Sequence, residues 1–218
     1  MQLRILKILL IILILLYHSL VFSKTNENKN FNHRYLSSYF SAQVSHENGD
    51  NRLAIKYFNS TKNILRDYPN YFDQYVTSLV LNNEVQQAIK EIKFFNTNKK
   101  IDNFQTTFLL TIDALRNKNY DKANDYLLNM KMILIPSSYQ EIIFQILNSF
   151  NQLFLDKKVV QIQDYGKLSR ILLAFQHCYL ANSKANDIFA NLISSDGGDY
   201  SRYLFFYISN LIEEDEYE

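Results

Sequence analysis

The side chains best suited to chemistry here are four histidines, a single cysteine and a scatter of carboxylates. His177 and Cys178 stand side by side, and imidazole with thiolate is a common ligand pair for zinc. On a helix, adjacent residues diverge by about 100°, so these two would need a third and a fourth ligand to share one metal. His18, His33 and His46 are scattered far from them. A phosphate loop needs closely spaced glycines, and Gly49, Gly166, Gly197 and Gly198 cannot build one. Neither a Gly-x-Ser-x-Gly nucleophile turn nor a His-Glu-x-x-His zinc helix occurs. Asp121, Asp125 and Glu91 fall on helix faces expected to be solvated. The expectation is a chain with no catalytic residue, no metal and no cofactor, and so not an enzyme.

The elements that would carry these residues are helical. Ile171-Leu172-Leu173-Ala174-Phe175 has the apolar pattern of a buried helix, which makes Cys178 a small buried apolar residue. The alternative for a lone thiol in an oxidising compartment is pairing between chains. With 218 residues, 47% of them hydrophobic and 21% charged, the chain can fill a core and is not disordered by composition. Net charge is +1 and no basic excess marks a face, so nucleic acid is not an expected partner.

The first 23 residues read as an export signal. Arg4 and Lys7 form a positive start, Ile8 to Leu16 an apolar run, and Val21-Phe22-Ser23 a small-residue cleavage site. The uncharged run from Ile8 to Ser23 is 16 residues, short of the roughly 20 that a spanning helix needs. Cleavage and release into a bacterial periplasm is the expectation. The alternative is an uncleaved inner-membrane anchor, which would leave the body facing the same side. Membrane contact is expected only through that segment. Residues 24–32 form a polar spacer, and 214–218 an acidic tail.

From residue 33 the chain reads as successive helices, and one segment recurs. Gly49-Asp50-Asn51-Arg52-Leu53-Ala54-Ile55-Lys56-Tyr57-Phe58 is echoed by Asn83-Glu84-Val85-Gln86-Gln87-Ala88-Ile89-Lys90-Glu91-Ile92. It recurs again as Lys118-Asn119-Tyr120-Asp121-Lys122-Ala123-Asn124-Asp125-Tyr126-Leu127. Ala54, Ala88 and Ala123 are 34 and 35 residues apart. Four places after each stands Phe58, Ile92 or Leu127, and three beyond that Thr61, Phe95 or Met130. Twelve before each stands Ala42, Val76 or Thr111. This pattern resembles the tetratricopeptide repeat family, with Thr61, Val76 and Thr111 departing from the small or apolar residues usual there. Asn83-Glu84 fits the family's inter-helix turn less closely than Gly49-Asp50 or Asn119-Tyr120.

The resemblance implies an all-α fold, an α-solenoid of antiparallel helix pairs. Three clear repeats span 33–134, with helices near 33–48 and 51–66, 70–82 and 84–97, and 102–117 and 120–132. Two degenerate pairs are expected over 135–213. Tyr139 to Leu155 reads as a helix after the break Ile135-Pro136-Ser137-Ser138. Lys184-Ala185-Asn186-Asp187-Ile188-Phe189 with Leu192 repeats the small, large and apolar spacing. Gly197-Gly198 would end that helix, and Tyr200 to Ile212 would form the last one.

In the family, the first helix of each repeat lines a concave groove. The matching positions here are Tyr39 and Gln43, Asp73 and Thr77, and Phe108 and Ile112. The resemblance therefore implies a protein or peptide partner held there, and a role as an interaction scaffold of the cell envelope. These positions lack the Lys, Asn and Arg with which well-known members clamp a C-terminal carboxylate. Two alternatives stay open: a non-catalytic helical subunit of a cell-wall enzyme complex, and Phe108 and Ile112 serving simply as core.

Overall fold

The computed structural model describes residues 33–62, 68–96, 103–194 and 201–213. The expected signal, spacer, Gly197-Gly198 stop and acidic tail lie outside the described residues. Among those described, regular structure is entirely helical. The helices are α1 (His33–Glu47), α2 (Asn51–Ser60), α3 (Pro69–Leu81), α4 (Val85–Asn96) and α5 (Phe104–Arg116). They continue with α6 (Tyr120–Ile133), α7 (Tyr139–Asp156), α8 (Lys167–Tyr179), α9 (Lys184–Ser194) and α10 (Ser201–Glu213). The chain divides into two compact units, Met1–Ile64 with α1 and α2, and Leu65–Glu218 with α3 to α10.

Three helical hairpins are closed by the same turn. Asn48-Gly49-Asp50 joins α1 to α2, Asn82-Asn83-Glu84 joins α3 to α4, and Asn117-Lys118-Asn119 joins α5 to α6. The middle residue is left-handed each time, with φ of +76° at Gly49, +63° at Asn83 and +56° at Lys118. Its N–H donates three residues back, to His46, Val80 or Leu115. The next N–H donates five back, to Ser45, Leu79 or Ala114. These paired bonds satisfy carbonyls that the end of a helix would otherwise leave open. Asp50 and Asn119 then cap the following helix, accepting the N–H of Leu53 at 3.1 Å and of Lys122 at 3.2 Å. Asn83-Glu84, the weaker sequence match, forms the same backbone turn. Ala181, with φ of +48°, repeats it between α8 and α9.

Small residues are buried where the hairpins close. Ala54, Ala88 and Ala123 have no exposed surface, and neither do Phe58 and Ile92 four places on. Val76 and Thr111 are bulkier than expected yet equally enclosed. Thr111 manages this by donating its hydroxyl to the Thr107 carbonyl at 2.8 Å, so no polar atom is left unmet. Thr61 solves the same problem at the end of α2. Its N–H and hydroxyl both bond the Phe58 carbonyl, which ends α2 at Ser60; residues 63–66 of the expected helix lie outside the described residues.

Beyond α6 the packing changes character. Phe104, Leu127, Met130 and Leu147 form one cluster from α5, α6 and α7. Ala174, Ala185, Phe189 and Leu192 form another, onto which α10 folds Tyr203 and Tyr207. Between α7 and α8 the chain runs without a helix from 157 to 166. Gln176, buried on α8, holds this strap: its Oε1 accepts the Val160 N–H at 2.7 Å, and its Nε2 donates to the Val160 carbonyl at 3.1 Å. The second unit is thus a solenoid-like succession in which each helix packs mainly on its neighbours in sequence.

Candidate protein-interaction surface

Each of the first three hairpins encloses one residue of its first helix more fully than the residue after it. Ala42, Val76 and Thr111 are enclosed, whereas Gln43 is half-buried and Thr77 and Ile112 are exposed. The angular step of a helix explains the contrast, since one residue turns the side chain by about 100°. One turn earlier stand Tyr39, Asp73 and Phe108, all half-buried.

These three side chains are engaged differently. Within the first unit, Gln43 donates through Nε2 to the Tyr39 hydroxyl at 3.1 Å. Within the second, Asp73 accepts from Nδ2 of Asn103 at 2.6 Å. Asn103 is the N-cap of α5, taking the Thr106 N–H at 2.8 Å, so Asp73 ties α3 to the start of α5. Burial raises the Asp73 carboxyl above its usual range, and the Asn103 bond offsets part of that rise. Phe108 stacks on Phe104 with ring centres 6.4 Å apart and packs against the cluster that reaches α7. Part of its surface is therefore core, while Ile112 one turn on faces water.

Glu91 departs from its expected solvated position. It is buried on α4, accepting from the Tyr75 hydroxyl at 3.3 Å and from Gln87 Nε2 at 2.9 Å. Those two donors replace the water that a carboxylate would otherwise need. Burial first, then the Glu91 charge, pushes the Tyr75 phenol well above its ordinary range. Asp121 and Asp125 are exposed as expected. Lys93 reaches from α4 to Asp113 of α5 at 2.5 Å and links two successive hairpins.

His177 is buried at the end of α8 with Nδ1 unpartnered, and burial followed by the Lys184 charge lowers its pKa. Cys178 beside it is half-buried against the α8–α9 cluster. No group of three metal-ligating side chains occurs among the described residues. Nor is any described helix long and apolar enough to cross a membrane. A shallow cavity of about 250 Å³ lies between α6 and α7, lined by Leu127, Leu128, Phe144, Asn124, Asn148 and Gln152, with Lys131 at its edge. Its polar heads come at helical spacing, Asn148 and Gln152 on one helix and Asn124 and Lys131 on the other. That spacing was the only sequence signal for it, and it is common on any solvated helix.

Comparison with family models, with curated proteins and with solved structures finds no match to this chain.

Proposed function

We propose that this chain is a protein–protein interaction scaffold of the bacterial cell envelope, built from tetratricopeptide-like helix pairs. Its first helices would hold a peptide or helix segment of a partner. One observation carries the proposal. Thr77 and Ile112, both in the second unit, occupy the same place in two successive hairpins closed by the same turn, and both are exposed. Equivalent open positions on successive repeats are what a repeat protein uses to read an extended ligand. Ile112 offers apolar contact, and the Thr77 hydroxyl offers a donor and an acceptor for a peptide backbone. The envelope assignment rests on the order of the first 23 residues.

Two measurements test this. N-terminal sequencing of the protein recovered from a producing bacterium should start at or near Lys24, and a soluble cytoplasmic species that retains Met1 would refute export. In a pull-down from envelope extract, Thr77→Glu with Ile112→Glu should lose a partner that wild type retains, while Lys90→Ala and Asp125→Ala keep it. Equal capture by all variants would move the interaction surface elsewhere.

A further inference from the structure

The strap between α7 and α8 is gripped as a ligand would be. Among the described residues, no main-chain group from 158 to 165 bonds another main-chain group. Side chains of the two flanking helices hold it instead. Gln176 of α8, 1% exposed, commits both head atoms to one residue, accepting the Val160 N–H and donating to the Val160 carbonyl. Gln145 of α7 accepts the Gln163 N–H at 3.3 Å, and Ser169 of α8 donates to the Gln163 carbonyl at 3.2 Å. Val160 and Ile162 are half-buried, whereas Gln161 and Gln163 are exposed. That alternation is the pattern of an extended chain with every second side chain turned inward. In the α3–α4 and α5–α6 hairpins a tight turn lets the two helices pack on each other. By contrast, α7 and α8 touch only sparsely, and the strap is bonded to both.

We propose that the cleft between α7 and α8 is a site for an extended peptide of the Val-x-Ile type, filled here by the chain's own segment 159–163. A glutamine amide that pairs with both main-chain groups of one residue reads backbone and not side chain, so it accepts any chain laid along it. The alternating apolar side chains supply the selectivity. Lys157, with φ of +54°, closes α7, and Gly166, with φ of +65°, opens α8. The strap is thus bounded at each end by a left-handed residue, and changes at these two terminal positions let it swing out while both helices stay wound. Tethering gives it an effective concentration on the order of millimolar. It therefore shuts out a free peptide until its own grip is weakened, which makes the contact autoinhibitory. The cleft uses helices other than those that carry Thr77 and Ile112.

The probe is a fluorescein-labelled peptide of residues 157–166, titrated by anisotropy into the full-length gene product. Val160→Ser with Ile162→Ser in the protein loosens the tethered strap, and this variant should bind the peptide about tenfold more tightly than wild type, or better. Adding Gln176→Ala to the variant should remove that gain. So should Val160→Pro in the peptide, which takes away the N–H that Gln176 accepts. A loosened variant that keeps its helix content by circular dichroism yet binds no peptide overturns the proposal. Equal binding of the proline peptide also overturns it, since that would report apolar adhesion alone. Wild type gives a readout that needs no variant. Unlabelled peptide at millimolar concentration should speed hydrogen exchange at Val160 while Leu153 and Leu172 keep their rates, and unchanged exchange at Val160 would count against displacement and overturn the proposal. No partner protein is present in these measurements, so their outcome is separate from that of the pull-down.

Discussion

Lys118 shows how far a single position departs from what local chemistry prefers. It holds φ of +56° in the turn where the first hairpin has Gly49. A left-handed backbone costs a residue with a Cβ about 1–2 kcal/mol, and glycine's extra freedom in the unfolded chain returns part of that. Lys118→Gly should therefore stabilise by about 0.5–1 kcal/mol, seen as a higher urea midpoint at unchanged slope. His177 supplies a pH dependence. Its folded pKa lies below the ordinary 6.5, so the unfolded chain takes up a proton first as pH falls. Stability is then full above that value and is lost as pH drops through the window beneath it. His177→Gln should flatten this part of the profile, and a profile identical to wild type would exclude His177 as the cause. Neither Glu91 nor Thr61 was legible beforehand. A carboxylate or hydroxyl at helical spacing looks solvated until its donor or acceptor, Tyr75 or the Phe58 carbonyl, is known.

Helix positions were legible because period and punctuation agreed. The alanine spacing placed α2, α4 and α6, and the Asn- and Gly-rich breaks placed the turns to within a few residues. The strap from 157 to 166 was not legible, since its hold depends on long-range side-chain bonds, Gln176 on Val160, Gln145 on Gln163 and Lys157 on Tyr179. Gln176→Leu should leave the N–H and carbonyl of half-buried Val160 without this partner, at up to about 1–3 kcal/mol in total. Faster hydrogen exchange at Val160 than in wild type would report the loss. Two further substitutions test the hairpin packing. Ala88→Phe should overpack and cost about 1–3 kcal/mol. Phe58→Ala should open a cavity and cost about 3–5 kcal/mol. Unchanged thermal midpoints for both would contradict the burial seen at these positions.

For the molecule as a whole, the second unit is held by contacts between helices adjacent in sequence, with few that skip a neighbour. The candidate surface was legible only as a set of equivalent positions. Which of them would be engaged by their own chain, as Phe108 and Asp73 are, depended on Phe104 and Asn103 lying within reach. Dependence on near neighbours also has a temporal side. Contacts that close short loops form quickly, and helical chains of this kind fold in microseconds to milliseconds. A hairpin such as α3–α4 can thus be completed while α8 to α10 are still being synthesised. Run backwards, the same logic lets the second unit fray from α10 inward, because loss of the last helix removes little from α3 to α6. Amide exchange should accordingly rise stepwise toward the C-terminal helices instead of appearing uniform.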